Sequence, residues 1–406
     1  MSKRLFIRFL LSLCGIIFSV NAFASGGQIF NPFAFLNPAS MMLTNKDKVS
    51  GGLGLASVRV RFNGSITPLA APSFSKTGDT RSETVYYLPG FLAYHRFSPW
   101  LVGGFVFSTP YFTDLNFPKF GLAQFSTFIT RVRTADLSPR IAIQLSKKFA
   151  IGAGFNATWL SIQLNNNVVI PVPTPLGAVF NQGEFINKVS DWAYGWDVGL
   201  MYRPFKGTIL GATYYSRESH TLTGNSVYAP TSGFLPRTVS EKIRTKLPRP
   251  QTVVVRAFQA LSKPFGLIGA FYWTDWSTLQ QAVVTGLGLP AGPTTTILPF
   301  NYENAYRFDW GGRWAPDDKW VFILLGFFEK TPTVANARNL TLPEASSLGI
   351  VYRVSYNFRK HWQVGGYYGH RWFRHASLDS VVLGTRTVGE SFPRSDFVGI
   401  DLTYQD

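Results

Sequence analysis

From Tyr302 to Asn339 the chain runs YENAYRFDWGGRWAPDDKWVFILLGFFEKTPTVANARN. Its first arm alternates strictly. Tyr306, Phe308, Trp310, Gly312 and Trp314 share one parity, and Arg307, Asp309, Gly311 and Arg313 share the other. A period of two is a strand with one apolar and one polar face. Here the apolar face is mostly aromatic and the polar face carries full charges. A soluble sheet would press the apolar face onto a core, yet no amphipathic helical pattern elsewhere in the chain could supply one. A tight turn, Ala315 to Lys319, leads into a second apolar arm, Trp320 to Phe328, and then into a Pro- and Asn-rich segment. Strand, tight turn, strand and long loop form the repeating unit of an outer-membrane barrel.

That unit recurs. Short turns are expected at Arg96 to Trp100, Ser146 to Phe149, Arg203 to Gly207, Ser262 to Gly266, Ala315 to Lys319 and Phe358 to Trp362. Between them lie longer Gly-, Pro-, Asn- and Ser-rich connections near 67–79, 110–124, 165–190, 225–240, 280–303, 331–345 and 379–393. These connections predict an all-β fold: a fourteen-stranded antiparallel transmembrane β-barrel, the even strand number that bacterial barrels use. Parity defines two faces in further strands. Leu348, Ile350, Tyr352 and Val354 oppose Gly349, Val351, Arg353 and Ser355. Val398, Ile400 and Leu402 oppose Gly399, Asp401 and Thr403, and Val58, Val60 and Phe62 oppose Arg59 and Arg61. Trp320 to Phe328 is apolar on both parities, which suits a lumen holding an apolar plug or ligand better than a water-filled pore. Trp100, Trp320 and Trp362 flank short turns, where an interfacial aromatic girdle belongs.

The N-terminus reads as an export signal over 1–24. Lys3, Arg4 and Arg8 precede an apolar run from Phe9 to Val20 and a small-residue site, Ala22-Phe23-Ala24. The run is shorter than the ~20 residues of a membrane-spanning helix. The only cysteine, Cys14, lies within it, so no disulfide or thiolate chemistry is expected beyond it. Residues 25–48 are Gly-, Asn- and Pro-rich, with two Asn-Pro pairs that resist helix. Yet they carry Phe30, Phe33, Phe35, Leu36, Met41, Met42 and Leu43, too apolar for a disordered arm. We read them as a plug inside a barrel spanning 49–406.

Several stretches in order resemble the FadL-type outer-membrane transporters of long-chain fatty acids and other hydrophobic compounds. They are Asn37-Pro38-Ala39-Ser40, TADLSPRIAIQLSKKFAIGAG (Thr134 to Gly154), WAYGWDVGLMYRPFKGTILGATYYSR (Trp192 to Arg217), Leu247-Pro248, and WTDWS (Trp273 to Ser277). The opening hairpin matches best, at Asn304-Ala305-Tyr306-Arg307, Asp317-Asp318-Lys319-Trp320, Thr331-Pro332, Asn336-Ala337-Arg338 and Leu342-Pro343. Two features depart from the family pattern: a short segment before Asn37, and an end on Tyr404-Gln405-Asp406 rather than an aromatic residue.

The resemblance implies passive uptake of long-chain fatty acids or similar hydrophobic molecules. Capture would occur at outer loops, followed by an inner pocket, gating by the N-terminal hatch and sideways release through a kinked third strand. Gating candidates are then Asn37, Pro38 and Ala39 in the hatch, and Gly103 and Gly104 in the strand Pro99 to Pro110. Loop candidates for an apolar tail are Phe112, Leu115, Phe117, Phe120 and Leu122, then Leu176, Val179, Phe180 and Phe185. A carboxylate head needs a cationic partner; Arg307, on the inward parity, and Arg338 are the candidates. Each also admits a plainer role, loop packing for the apolar residues and a structural pair with Asp309 for Arg307. The net charge of +17, reduced to +14 without the three leader cations, suits outer-leaflet lipids and lipopolysaccharide phosphates.

No HExxH, GxSxG or Gly-rich phosphate loop occurs, and of the five histidines, His95, His220, His361, His370 and His375, only His370 and His375 share one hairpin end, a weak metal signal beside the plainer role of a solvated loop. No enzyme activity, cofactor, metal or nucleic-acid partner is expected, and the chain is expected to act as a monomer. A general diffusion porin or an adhesin on the same barrel is the alternative.

Overall fold

The computed structural model describes residues 33–175, 177–232, 238–289 and 292–406. They build fourteen antiparallel strands. The first six are β1 (Lys48–Pro68), β2 (Lys76–Ser98), β3 (Leu101–Ser108 continued by Phe112–Asn116), β4 (Ile129–Gln144), β5 (Phe149–Thr174) and β6 (Gly177–Tyr202). Then come β7 (Thr208–Tyr215 and Glu218–Ser232), β8 (Val239–Arg249 and Thr252–Ala260), β9 (Phe265–Thr274 and Gln281–Leu289) and β10 (Gly292–Pro299 and Ala305–Trp314). The last are β11 (Trp320–Lys330), β12 (Ser347–Arg359), β13 (Trp362–Phe373 and Ala376–Val382) and β14 (Thr385–Gln405). Each strand pairs with its neighbours in sequence. β14 returns to β1 in register from Lys48 opposite Gln405 to Pro68 opposite Thr385, which closes the barrel.

All six short turns fall where the sequence places them. In the turn between β10 and β11, the Asp317 carboxylate accepts the backbone N–H groups of Trp320 and Lys319, each at 2.8 Å. Those bonds hold its carboxyl below the usual carboxylate range. The long connections need correction. Near 165–190, β5 and β6 stay paired as far as Thr174 opposite Gly177. Near 280–303 the chain forms a second paired hairpin, Gln281 opposite Pro299. Beyond the membrane both faces of a strand meet water or loops, so the apolar alternation fades while the backbone ladder continues.

The period of two sorts the wall as expected. Trp310 is 51% exposed on the outside, while Arg307, Asp309 and Arg313 are buried on the inside. On β11 both parities are apolar because Val321, Ile323, Leu325 and Phe327 fill the lumen while Leu324 faces outward. In the outer half of β1 the faces swap chemistry. Val58, Val60 and Phe62 are buried inside, whereas Arg59 and Arg61 lie outside, paired with Glu83 at 2.9 Å and Asp79 at 2.7 Å.

Residues 33–44 lie inside the barrel and are buried throughout. A 3-10 helix, Pro38–Leu43, starts at Asn37, whose side-chain oxygen caps the Ala39 N–H at 2.9 Å. The Asn37 amide donates outward to two wall carbonyls, Leu200 at 2.9 Å and Ala212 at 3.2 Å. A Cβ at Gly199 would lie 2.1 Å from Asn37 Oδ1, so only glycine admits the plug this closely. The plug enters from the short-turn end, where Arg96 donates to the Thr44 carbonyl and Gln405 to the Thr44 hydroxyl.

Candidate functional site

Above the plug the lumen opens into a cavity of about 280 Å³. Leu160, Ile162, Val189, Ile243, Leu247 and Val284 supply much of its wall, with Tyr111, Trp276, Phe300 and Tyr302 as aromatic surface. Period-two alternation brings Ile243, Thr245, Leu247 and Arg249 of β8 onto one inward face. On β9 a bulge between Thr285 and Leu287 does the same work, with Gly286 at φ 81° absorbing the extra residue so that Leu287 joins Val284.

Among the described residues that line the cavity, the arginine is Arg249. Its Nη1 donates to Thr158 at 2.8 Å, Glu218 Oε2 at 3.0 Å and Asp136 Oδ2 at 3.2 Å. Two carboxylates therefore compensate one guanidinium. The guanidinium also lies 5.7 Å from the Phe35 ring and 5.1 Å from that of Tyr111, which joins the cavity floor to the plug. Phe35 sits at φ 53°, a conformation costly for a side chain of its size. Wall contacts hold it there: Arg256 donates to the Phe35 carbonyl at 3.0 Å, and Tyr215 and Arg140 donate to that of Leu36. Arg140 in turn pairs with Asp197 at 3.2 Å.

The third strand breaks at 109–111, between its two pieces. Its lower piece pairs with β2 from Ser98 opposite Leu101 up to Phe91 opposite Phe107. Its upper piece, Phe112–Asn116, pairs with β4 alone. There the seam with β2 is held by side chains. Thr84 donates to the Asp114 carbonyl, the Asn116 N–H donates to Ser82 Oγ at 2.7 Å, and Tyr86 stacks on Phe112 with centroids 4.4 Å apart. Tyr111 and Thr113, from this same stretch, line the cavity.

A barrel of this topology, plugged by its own N-terminal segment, agrees with a family match over residues 22–391 to the outer membrane protein transport proteins OMPP1/FadL/TodX. The chain belongs to this family. It is an outer-membrane protein. An outer membrane protein of Neisseria meningitidis serogroup B is 26% identical over 250 residues, 54% of this chain and 52% of its own length. The long-chain fatty acid transport protein of Escherichia coli K12 is 22% identical over 262 residues, 57% of this chain and 58% of its own. The matches thus span little more than half of these relatives. Among solved structures, a Pseudomonas aeruginosa FadL homologue superposes with TM-score 0.82 at 16% identity, covering 96% of this chain and 98% of that one. The Pseudomonas putida toluene transporter TodX superposes with TM-score 0.71 at 14% identity, covering 96% and 99%. These likenesses carry the fold.

Within this family barrel, the residues singled out in the sequence separate. Asn37, Pro38 and Ala39 form the docked turn of the plug. Gly103 and Gly104 do not mark the break in β3. The strand runs through them, and a Cβ there would meet the Phe97 ring at 2.7 Å and the Tyr94 ring at 2.4 Å. They are sites of close packing, and the break follows at 109–111, where Pro110 cannot donate to a ladder. Phe112, Leu115, Phe117 and Leu122 line no part of the cavity. They are buried against Val58, Val60 and Phe62, whose inward apolar face needs that cover. Phe180 packs on Phe74 at 5.6 Å, and Phe185 is buried among Val189, Leu222 and Tyr228 in the outer wall. Val179 is half-buried, Phe120 is exposed, and the side chain of Leu176 lies outside the described residues, as does the proposed leader.

Neither favoured arginine reaches the cavity. Arg307 is 2% exposed and bonds Asp309 at 2.5 Å, with Glu329 at 3.6 Å, itself paired with Arg371 at 3.0 Å. Arg338 ties its loop to β13 through Thr333 and the Ser377 carbonyl at 2.9 Å. Sequence reasoning missed Arg249, Asp136 and Glu218. The matched stretches came close: Asp136 lies inside Thr134 to Gly154, Trp192 to Arg217 ends one residue short of Glu218, and Leu247-Pro248 one residue short of Arg249.

Proposed function

We propose that this barrel carries hydrophobic molecules across the outer membrane. They enter from the outer loops, rest in the cavity above the plug and leave sideways through the seam between β2 and the upper piece of β3. The carrying observation is continuity: Tyr111 and Thr113 belong both to the cavity lining and to the stretch where the β2 ladder is missing. An apolar wall suits such cargo, each buried CH₂ contributing about 0.8 kcal/mol. A cavity of about 150 Å³ takes one benzene, so this one accommodates a compact molecule of roughly twice that bulk or part of an acyl chain. The relatives' described roles, fatty-acid transport and toluene transport, agree with this class of cargo. A general diffusion porin would need an open lumen, whereas here residues 33–44 fill it. In this reading the hatch, docked through Asn37, gates passage below the cavity.

The seam can be tested directly. With Tyr86→Cys and Phe112→Cys, a bismaleimide should bridge β2 to β3. Uptake of a labelled hydrophobic substrate by cells relying on this protein should fall to background on cross-linking and persist in either single variant treated alike. Undiminished uptake through the bridged barrel would refute sideways release at this seam.

A further inference from the structure

The cavity wall holds polar side chains that the uptake reading does not use: His220, Thr245 and Asn187, whose Oδ1 has no hydrogen-bond partner among the described residues. His220 is 1% exposed and lines the cavity, and neither ring nitrogen has a hydrogen-bond partner among the described residues. Its nearest acidic group, Asp191 Oδ2, lies 4.0 Å from Nδ1 and is already taken by the Thr221 N–H at 2.7 Å. Thr245 is 8% exposed, lines the same cavity, and its Oγ1 is likewise unpartnered. The two are neighbours. His220 lies opposite Leu247 and Leu222 opposite Thr245, so they form a diagonal pair on one face of adjacent strands. Such pairs stand about 7–8 Å apart at Cα, close enough for one bridging hydroxyl to bond both side chains.

An unsatisfied polar group in an apolar wall is destabilising, and buried polar groups in native proteins are ordinarily paired. Apolar pockets with a few convergent polar groups use those groups to orient a ligand. At the floor, Arg249 is already paired with Asp136 and Glu218, so an added carboxylate would have to compete with both for it.

We infer that His220 and Thr245 form a hydrogen-bonding anchor for the cargo. The preferred ligand is then a compact, uncharged hydrophobic molecule bearing a hydroxyl or carbonyl group, such as an alkylphenol. Neither a bare hydrocarbon nor a fatty-acid carboxylate meets these groups as well. This inference rests on the uptake reading and narrows its substrate class. A site built to bond a hydroxyl discriminates against the analogue lacking it, because its own polar groups are then left unpaired.

The test uses the full-length protein purified in detergent, titrated calorimetrically with 4-propylphenol, propylbenzene and hexadecanoate. Heat-modifiable gel mobility confirms that each variant is a folded barrel. His220→Leu and Thr245→Val should each weaken propylphenol binding by roughly three- to tenfold, leave propylbenzene unchanged, and leave hexadecanoate the weakest ligand. A parallel loss for phenol and hydrocarbon, no loss for either, or tighter binding of hexadecanoate than of propylphenol by the wild type would overturn the anchor. In each of those cases the barrel still binds a hydrophobic ligand and the uptake reading stands. If the wild type binds none of the three, both fall together.

Discussion

Replacing Gly199 with valine should turn a sealed barrel into a conducting one. The new Cβ would fall 2.1 Å from Asn37 Oδ1 and 2.7 Å from Pro38 Cδ, so the plug must move off the wall. Moving it breaks the Asn37 bonds to the Leu200 and Ala212 carbonyls, each worth about 1 kcal/mol net. Gly199 faces inward and the ladder of β6 with β5 and β7 does not involve its side, so the barrel itself should still assemble. In planar bilayers the wild type should show little conductance and Gly199→Val stable open steps. Asn37→Ala combined with Pro38→Ala should act in the same direction through lost docking rather than collision, altering uptake without altering heat-modifiable mobility. Wild-type conductance in Gly199→Val would mean that the plug does not seal the lumen.

Arg249→Met should be among the most destabilising single changes available to this protein. It strands Asp136 and Glu218 together in the lumen, and breaking a buried ion pair by removing one partner costs about 3–5 kcal/mol. The temperature at which the folded band is lost on gels should fall sharply. Adding Asp136→Asn and Glu218→Gln should restore most of the loss, because replacing a whole buried ionic group is often close to neutral. Wild-type stability for the single variant would show that the carboxylates find other compensation. Arg307→Met should behave alike, leaving Asp309 and half of Glu329's compensation unanswered. Its effect should therefore fall equally on every ligand, as the plainer structural role for Arg307 requires.

The inward placement of Arg307 and Asp309 was legible because one uninterrupted arm preserves the period of two. Arg249 was not, because Pro248 and Pro250 flank it and LPRP reads as a turn. The strand pieces Val239–Arg249 and Thr252–Ala260 meet around that turn, so an element-by-element reading ends β8 too early. The glycines of β3 misled for a related reason. Glycine weakens a strand and also permits close packing, and local sequence cannot say which. The contact with Met41, whose Sδ would lie 3.0 Å from a Cβ at Gly104, exists only once the plug is in place.

Strand number, the period-two alternation and the six tight turns are legible in the sequence, as is an unusually apolar N-terminal segment. Those are local properties, set by side-chain alternation and turn chemistry within a few residues. The tertiary structure alone decided the site. Asp136 and Arg249 are separated by 113 residues, and His220 stands diagonally across from Thr245 on paired strands whose register no single strand encodes. Curling the sheet into a closed wall is what brings β4, β7 and β8 around one point, so inward-facing residues become a floor, a lining or a plug seat according to height and neighbour. Period two says which residues face in; closure says which of them meet.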